Sequence, residues 1–172
     1  MTKIILVKGD ITSAETDIIV NSAKPSLTGG SGVDGAIHRV AGPSVLKECL
    51  SIKSTDGVRC PTGNAVLTGA GELKAQYIIH TVGPIYSSDK QPERSLTSAY
   101  ENCLKLALEN NCTSIAFPAI SCGKYGYPYL EAAKIAVKIC NDYLKFGLQI
   151  YFYLLEEDLY SIFTDQVSGR QP

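Results

Sequence analysis

Ser114-Ile115-Ala116-Phe117-Pro118-Ala119-Ile120-Ser121-Cys122-Gly123-Lys124-Tyr125-Gly126-Tyr127-Pro128 is the stretch from which the fold can be read. It begins with a short apolar run, continues through small residues and glycine, and ends at Tyr127-Pro128. Beyond it, Ala132, Ala133, Ala136, Val137, Cys140 and Leu144 recur at helical steps, and Gly147 is the expected stop. A continuous apolar run of this length suits a strand buried on both faces. Strand, loop and helix in that order make one unit of an α/β sheet.

The same alternation extends outward in both directions. Strands are expected at Ile4-Ile5-Leu6-Val7, Ile18-Ile19-Val20, Ala65 to Thr68, Tyr77 to Thr81 and Gln149 to Leu154. Of these, Ile4 to Val7 and Ile18 to Val20 carry the β-branched runs of strands covered on both faces. Leu96, Ala99, Tyr100, Cys103 and Ala107 form a second helical stripe. Val33 to Val40 and Val45 to Ile52 read as shorter helices divided by Gly42-Pro43, and Glu156 to Val167 as a last one. The expected architecture is one α/β domain over residues 1–172, its sheet sandwiched by helices and largely parallel in the middle.

Composition narrows the function. The chain has 172 residues, with 45% hydrophobic and 19% charged, as in an ordinary globular domain. Sixteen basic and seventeen acidic residues leave a net charge of −1, which argues against nucleic-acid binding driven by phosphate charge. The longest strongly apolar run, Ile150 to Leu155, is too short to span a bilayer, and Met1-Thr2-Lys3 leads directly into a strand without a signal-peptide core. The six cysteines include no C-x-x-C pair, and His38 and His80 lie far apart in sequence, so no metal site is expected. Reduced thiols in a cytoplasmic protein are the expectation.

In sheets of this kind, ligands bind where strands pass into helices at their carboxyl ends. Three such loops carry unusual residues. In Gly9-Asp10-Ile11-Thr12, Asp10 either closes a local turn or presents its carboxylate to an exocyclic amine, with the Ile11 amide beside it. The segment Asn21 to Gly35 holds four of the fifteen glycines and ends at a helix start, which favours an anion. Its Gly30-x-Gly32-x-x-Gly35 resembles a dinucleotide fingerprint, but eight residues separate Asn21 from Gly30, and Ala36-Ile37 rules out a Walker A loop. A carboxylate here, Asp34, either stabilises the helix start or has chemistry to perform. Pro118 to Pro128 is a second cradle, where Tyr125 could cover a sugar. Cys122 at a helix start could be a nucleophile, but neither histidine has a sequence-level claim to be its base. Two anion cradles flanking a sheet suit a diphosphate that joins a base to a sugar.

These blocks resemble the macro domains, most closely the MacroD-type branch that binds ADP-ribose and hydrolyses its esters. The resemblance runs through Gly9-Asp10-Ile11-Thr12, Ile19-Val20-Asn21, Gly32-Val33-Asp34-Gly35-Ala36-Ile37-His38, Cys60-Pro61-Thr62-Gly63, His80-Thr81-Val82-Gly83-Pro84 and Phe117-Pro118-Ala119-Ile120-Ser121. It implies a three-layer α/β/α sandwich with a mixed, largely parallel sheet. Asp10 would take the adenine amine, with the Ile11 amide nearby. Gly32, Val33 and the run Ser121, Cys122, Gly123, Lys124, Tyr125, Gly126 would wrap the diphosphate and distal ribose, with Asn21 and Lys24 also at the ligand. Asp34 would be the catalytic carboxylate, orienting or activating a water.

The resemblance also implies no cofactor and no metal. Its partners are ADP-ribose, O-acetyl-ADP-ribose and mono-ADP-ribosylated proteins, with nucleic acid only through ADP-ribosylated ends and a monomeric state. Two positions depart from the family pattern. Lys24 stands where an Asn is usual, and Ser31 where a Gly is usual. An ammonium at position 24 folded over the same ribose as Asp34 would either pair with the carboxylate and slow turnover or reach solvent along its four-carbon stem and touch nothing. Lys24 therefore favours a non-catalytic ADP-ribose reader, whereas Asp34 favours an ester hydrolase. A Rossmann-type oxidoreductase is disfavoured by the loop spacing.

Overall fold

The computed structural model describes residues 3–170. Six strands, β1 (Ile4–Lys8), β2 (Ile18–Ser22), β3 (Ala65–Gly69), β4 (Tyr77–Thr81), β5 (Ser114–Phe117) and β6 (Gln149–Leu154), form one sheet in the order β1-β6-β5-β2-β4-β3. Four of its five pairings are parallel, and only β3–β4 is antiparallel. The helices are α1 (Gly32–Ala41), α2 (Pro43–Ser51), α3 (Pro92–Glu109), α4 (Tyr129–Tyr143) and α5 (Glu157–Val167). None of them is long and apolar enough to cross a membrane. Met1 and Thr2, read as the lead into β1, lie outside the described residues.

Side-chain alternation along the strands divides the core into two layers. Ile18, Val20, Ile79, Ile115 and Phe117 pack with α3, α4 and α5, while Ile19, Ile78 and Ala116 pack with α1 and α2. The result is a three-layer α/β/α sandwich. Its larger layer is centred on an aromatic chain in which Tyr100–Phe117, Phe117–Phe152 and Phe152–Phe163 have ring centroids 5.2, 5.4 and 5.0 Å apart. Tyr100 also receives the Ile120 N–H on its hydroxyl at 3.1 Å, which ties the loop after β5 to α3.

One expectation fails at the sheet edge. β1 was expected to be covered on both faces, but it pairs only with β6, and Ile5, Leu6 and Val7 are half-buried. The layer made by α1 and α2 stops short of this edge, leaving Tyr151 and Tyr153 of β6 half-buried on the same side. A β-branched run reports strand propensity; it does not report where in the sheet the strand lies. Lys8 at the end of β1 forms an ion pair with Glu157 at the start of α5.

Because β2 and β5 are adjacent and parallel, the loops that follow them leave the sheet side by side. That end is where a ligand belongs in an open α/β sheet.

Candidate functional site

A cavity of about 630 Å³ opens between the loops after β2 and β5. Of the residues expected at the ligand, Lys24, Gly32, Val33, Asp34, Ser121, Gly123, Lys124 and Tyr125 line it. Ser22, Ala23, Gly30, Ser31, Pro118 and Ala119 complete the wall. They flank the motifs in sequence, which is the one signal that could have included them. Asp10, Ile11, Asn21, Cys122 and Gly126 do not line the cavity.

Both cradles present unused backbone donors. α1 begins at Gly32 with Ser31 as its cap, and no side chain closes that end. The N–H groups of Gly32, Val33 and Asp34 therefore have no intrahelical acceptor, as the first turn of any helix requires. In the loop after β5, the N–H groups of Cys122, Gly126 and Tyr127 bond within the loop. Those of Ser121, Gly123, Lys124 and Tyr125 donate to no protein acceptor among the described residues. Ser121 holds φ at +67°, unusual for a non-glycine residue, and its hydroxyl donates to the Pro84 carbonyl at 2.8 Å. Such a strained conformation persists only where its surroundings enforce it. The first cradle depends on Gly35, where an added Cβ would sit 2.5 Å from the Gly30 carbonyl oxygen.

Asp34 is 6% exposed and lies between the two cradles. Its Oδ1 accepts from the Asn21 side-chain amide at 2.9 Å and lies 3.4 Å from His38 Nε2. Its Oδ2 lies beside Gly30 and accepts no protein hydrogen bond among the described residues, which leaves it available to a water. Asn21 is fully buried beneath the carboxylate and shares its amide with His80 Nδ1 at 3.1 Å. It therefore supports Asp34 from below and does not line the cavity.

The expected ion pair between Lys24 and Asp34 does not form. Among the described residues, the basic partner of Asp34 is His38, one turn along α1. Lys24 is exposed at the cavity rim, its backbone carbonyl engaged by the Leu27 N–H at 3.0 Å. Its four-carbon stem is long enough to carry the ammonium into solvent. Ser31 takes an ordinary extended backbone, φ −105°, so nothing there requires glycine.

Asp10 Oδ1 accepts from the Thr12 backbone N–H at 2.9 Å and from the Thr12 hydroxyl at 2.8 Å, capping a short 3-10 turn over Ile11–Ser13. Its second oxygen has no protein partner among the described residues, so the turn and the amine-binding role are compatible. Burial, helped by the charge of Glu156, pushes the Cys122 thiol up to about 12. A nucleophilic cysteine needs the opposite shift. Cys122→Ser is accordingly expected to keep ester hydrolysis within about threefold of wild type; loss of all turnover would reinstate the thiol.

Residues far apart in sequence converge below Asp34. Ligating atoms of His38, Cys49 and His80 lie within 4.8 Å of one another, a grouping that sequence separation concealed. His80 spends both ring nitrogens on hydrogen bonds, to Asn21 and to Thr68, and burial pushes the Cys49 thiol up to about 11. A metal would need a lone pair from the His80 ring and a thiolate from Cys49, so His80 and Cys49 fit hydrogen-bonded packing better than an ion, while His38 Nδ1 is buried without a partner among the described residues.

A second, broader groove of about 1000 Å³ runs between α3 and α4. Its charged lining residues are Glu93, Glu101 and Glu131 against Arg94 and Lys134, the wrong balance for a diphosphate.

The fold is a parallel-centred sandwich with two rows of unused backbone donors and a carboxylate between them, and comparison with known proteins identifies the family. The sequence profile of the macro domain matches residues 20–136. The chain is 52% identical over 162 residues to a macro domain-containing protein of Vibrio parahaemolyticus, spanning 94% of this chain and 95% of that protein. It is 50% identical over 161 residues to the O-acetyl-ADP-ribose deacetylase of Escherichia coli strain K12, spanning 91% and 90%. Among solved structures, the Oceanobacillus iheyensis macrodomain with ADP superposes with a TM-score of 0.91 at 41% identity, covering 95% of this chain and 89% of that one. The Trypanosoma brucei macrodomain in complex with ADP-ribose gives 0.84 at 39%, covering 93% and 67%. This chain belongs to the macro domain family.

Proposed function

We propose that this protein binds ADP-ribose through its diphosphate and hydrolyses esters on the distal ribose, O-acetyl-ADP-ribose among them. The observation that carries this reading is the pair of donor rows, at the start of α1 and in the loop after β5, lining one cavity with Asp34 between them. Backbone N–H groups at a helix start bind phosphate oxygens without any lysine in contact. With the diphosphate held there, Asp34 Oδ2 orients a water and takes its proton as the water oxygen attacks the acyl carbon. The acyl C–O bond to ribose then breaks, the ribose oxygen recovers a proton, and ADP-ribose and acetate leave. No oxidant or metal enters this balance.

Incubation with O-acetyl-ADP-ribose, followed by mass spectrometry, tests the reading: ADP-ribose and acetate should appear in equal amounts. Binding without turnover would leave only the reader function.

Removal of mono-ADP-ribose from acidic side chains belongs to the same chemistry. The exposure of Lys24, Gly30 and Ser31 at the rim supports it, since the rim leaves room for a protein-borne ester. A reducing cytoplasmic setting is supported by six cysteines that are all unpaired and buried. Single-domain organisation and a monomeric state complete the proposal.

Two variants probe its parts. Asp10→Ala should weaken ADP-ribose about tenfold, some 1.4 kcal/mol, by calorimetry. The same change should leave inosine-diphosphate-ribose, which lacks the amine, unaffected. Equal losses for both ligands would assign Asp10 to the turn alone. Lys24→Asn should hydrolyse within about twofold of wild type, because the ammonium is not paired with Asp34; a rise of tenfold would show that it restrains the carboxylate after all.

A further inference from the structure

Asn21 and His80 are register partners on the adjacent strands β2 and β4, and both side chains are fully buried. We propose that His80 is a positioning residue for Asp34, acting through the side-chain amide of Asn21. The inference rests on the hydrolase reading above.

The Asn21 amide, with its nitrogen toward Asp34, sets the direction of the hydrogens along the chain of bonds. Asn21 Nδ2 has two hydrogens, one donated to Asp34 Oδ1 at 2.9 Å and the other to His80 Nδ1 at 3.1 Å. An amide nitrogen only donates, so Nδ1 must offer a lone pair, and the neutral ring carries its hydrogen on Nε2. That nitrogen lies 2.9 Å from Thr68 Oγ1, which passes its own hydrogen to the Gly69 carbonyl at 2.9 Å. Reversing the Asn21 amide would set its oxygen against the carboxylate, so Asp34 fixes the orientation, and Asn21 Oδ1 is left buried without a partner among the described residues. Burial, with the neighbouring His38 as a lesser cause, pushes the His80 imidazole down to about 3 and keeps it neutral.

The consequence reaches the site. Oδ1 is held by a donor that cannot rotate, and this aims Oδ2 at the cavity. Without His80 the amide can turn, and the carboxylate is left to His38 alone. His80 touches neither the cavity nor the ligand, so its loss should act on turnover and leave binding alone.

The test compares kcat, KM and ADP-ribose affinity across variants. His80→Leu should lower kcat about 30-fold, the scale of a misplaced catalytic group, with KM and Kd within threefold. His80→Asn, whose Oδ1 can replace Nδ1 as acceptor, should restore kcat to within about threefold of wild type. Adding His80→Leu to Asn21→Leu should cause no further loss, because one residue acts through the other. Equal losses in His80→Leu and His80→Asn, or additive losses in the double variant, would overturn the proposal. If the leucine variant does not fold, nitrogen NMR of the wild-type ring decides: a protonated Nδ1 at pH 7 contradicts the proposal, and an unprotonated Nδ1 with protonated Nε2 agrees with it. A wild-type protein that binds ADP-ribose but never hydrolyses the ester would instead remove the hydrolase reading, and the positioning role would fall with it.

Discussion

Replacing Asp34 with alanine is expected to lower ester hydrolysis by about 10²–10⁴-fold while ADP-ribose still binds. Two features of the site separate the effects. The donors that would hold the diphosphate are main-chain N–H groups, which the substitution leaves in place. The carboxylate repels a diphosphate electrostatically, so its removal cannot weaken binding through charge. Of the two Asp34 carboxylate oxygens, Oδ2 is the one without a protein hydrogen bond among the described residues, and no neighbour replaces it: Cys122 keeps its proton, and His38 lies on the Oδ1 side. Steady-state hydrolysis and calorimetry on the same preparation check both halves. An Asp34→Ala protein that turns over normally would dissociate Asp34 from the chemistry.

Gly83→Ala should have the largest effect on binding. A Cβ at Gly83 would collide with Ser121 Oγ and Ile120 Cγ2. Neither can retreat easily, since Ser121 is 3% exposed with its hydroxyl on Pro84, and the Ile120 N–H is held by Tyr100. The loop after β5 must then move, and it carries four of the unused donors. Overpacking of this kind costs about 1–3 kcal/mol of stability, and ADP-ribose affinity should fall at least tenfold. Thermal melting and calorimetry would show both; unchanged affinity would mean that the second cradle does not hold the ligand.

The sequence reveals different parts of this molecule to different degrees. Tyr77 to Thr81, Ser114 to Phe117 and Gln149 to Leu154 are strands with the expected bounds, because short apolar runs between turn residues leave little latitude. Gly42-Pro43 divides α1 from α2 for a local reason: Gly42 takes φ +87° and Pro43 opens the next helix. The edge position of β1 was not legible, since pairing partners depend on the order of strands and not on any one strand's composition. At the site, the cradles and Asp34 stand out because glycine and a carboxylate interrupt otherwise apolar patterns. The bonds beneath Asp34 do not. Asn21, Thr68 and His80 meet only through the register of β2, β4 and β3, and the one available cue was a polar pair, His80-Thr81, ending an apolar strand. Lys24 shows the opposite error: proximity in a loop suggested an ion pair that the exposed side chain does not make.

Titrating ADP-ribose into isotope-labelled protein and following backbone amide shifts by NMR tests the central claim most directly. The account predicts that the largest shifts fall on Gly32, Val33, Ser121, Gly123, Lys124 and Tyr125, six of the seven unused donors in the two rows. Shifts confined to the groove between α3 and α4, around Arg94 and Lys134, with these six amides unmoved, would contradict it.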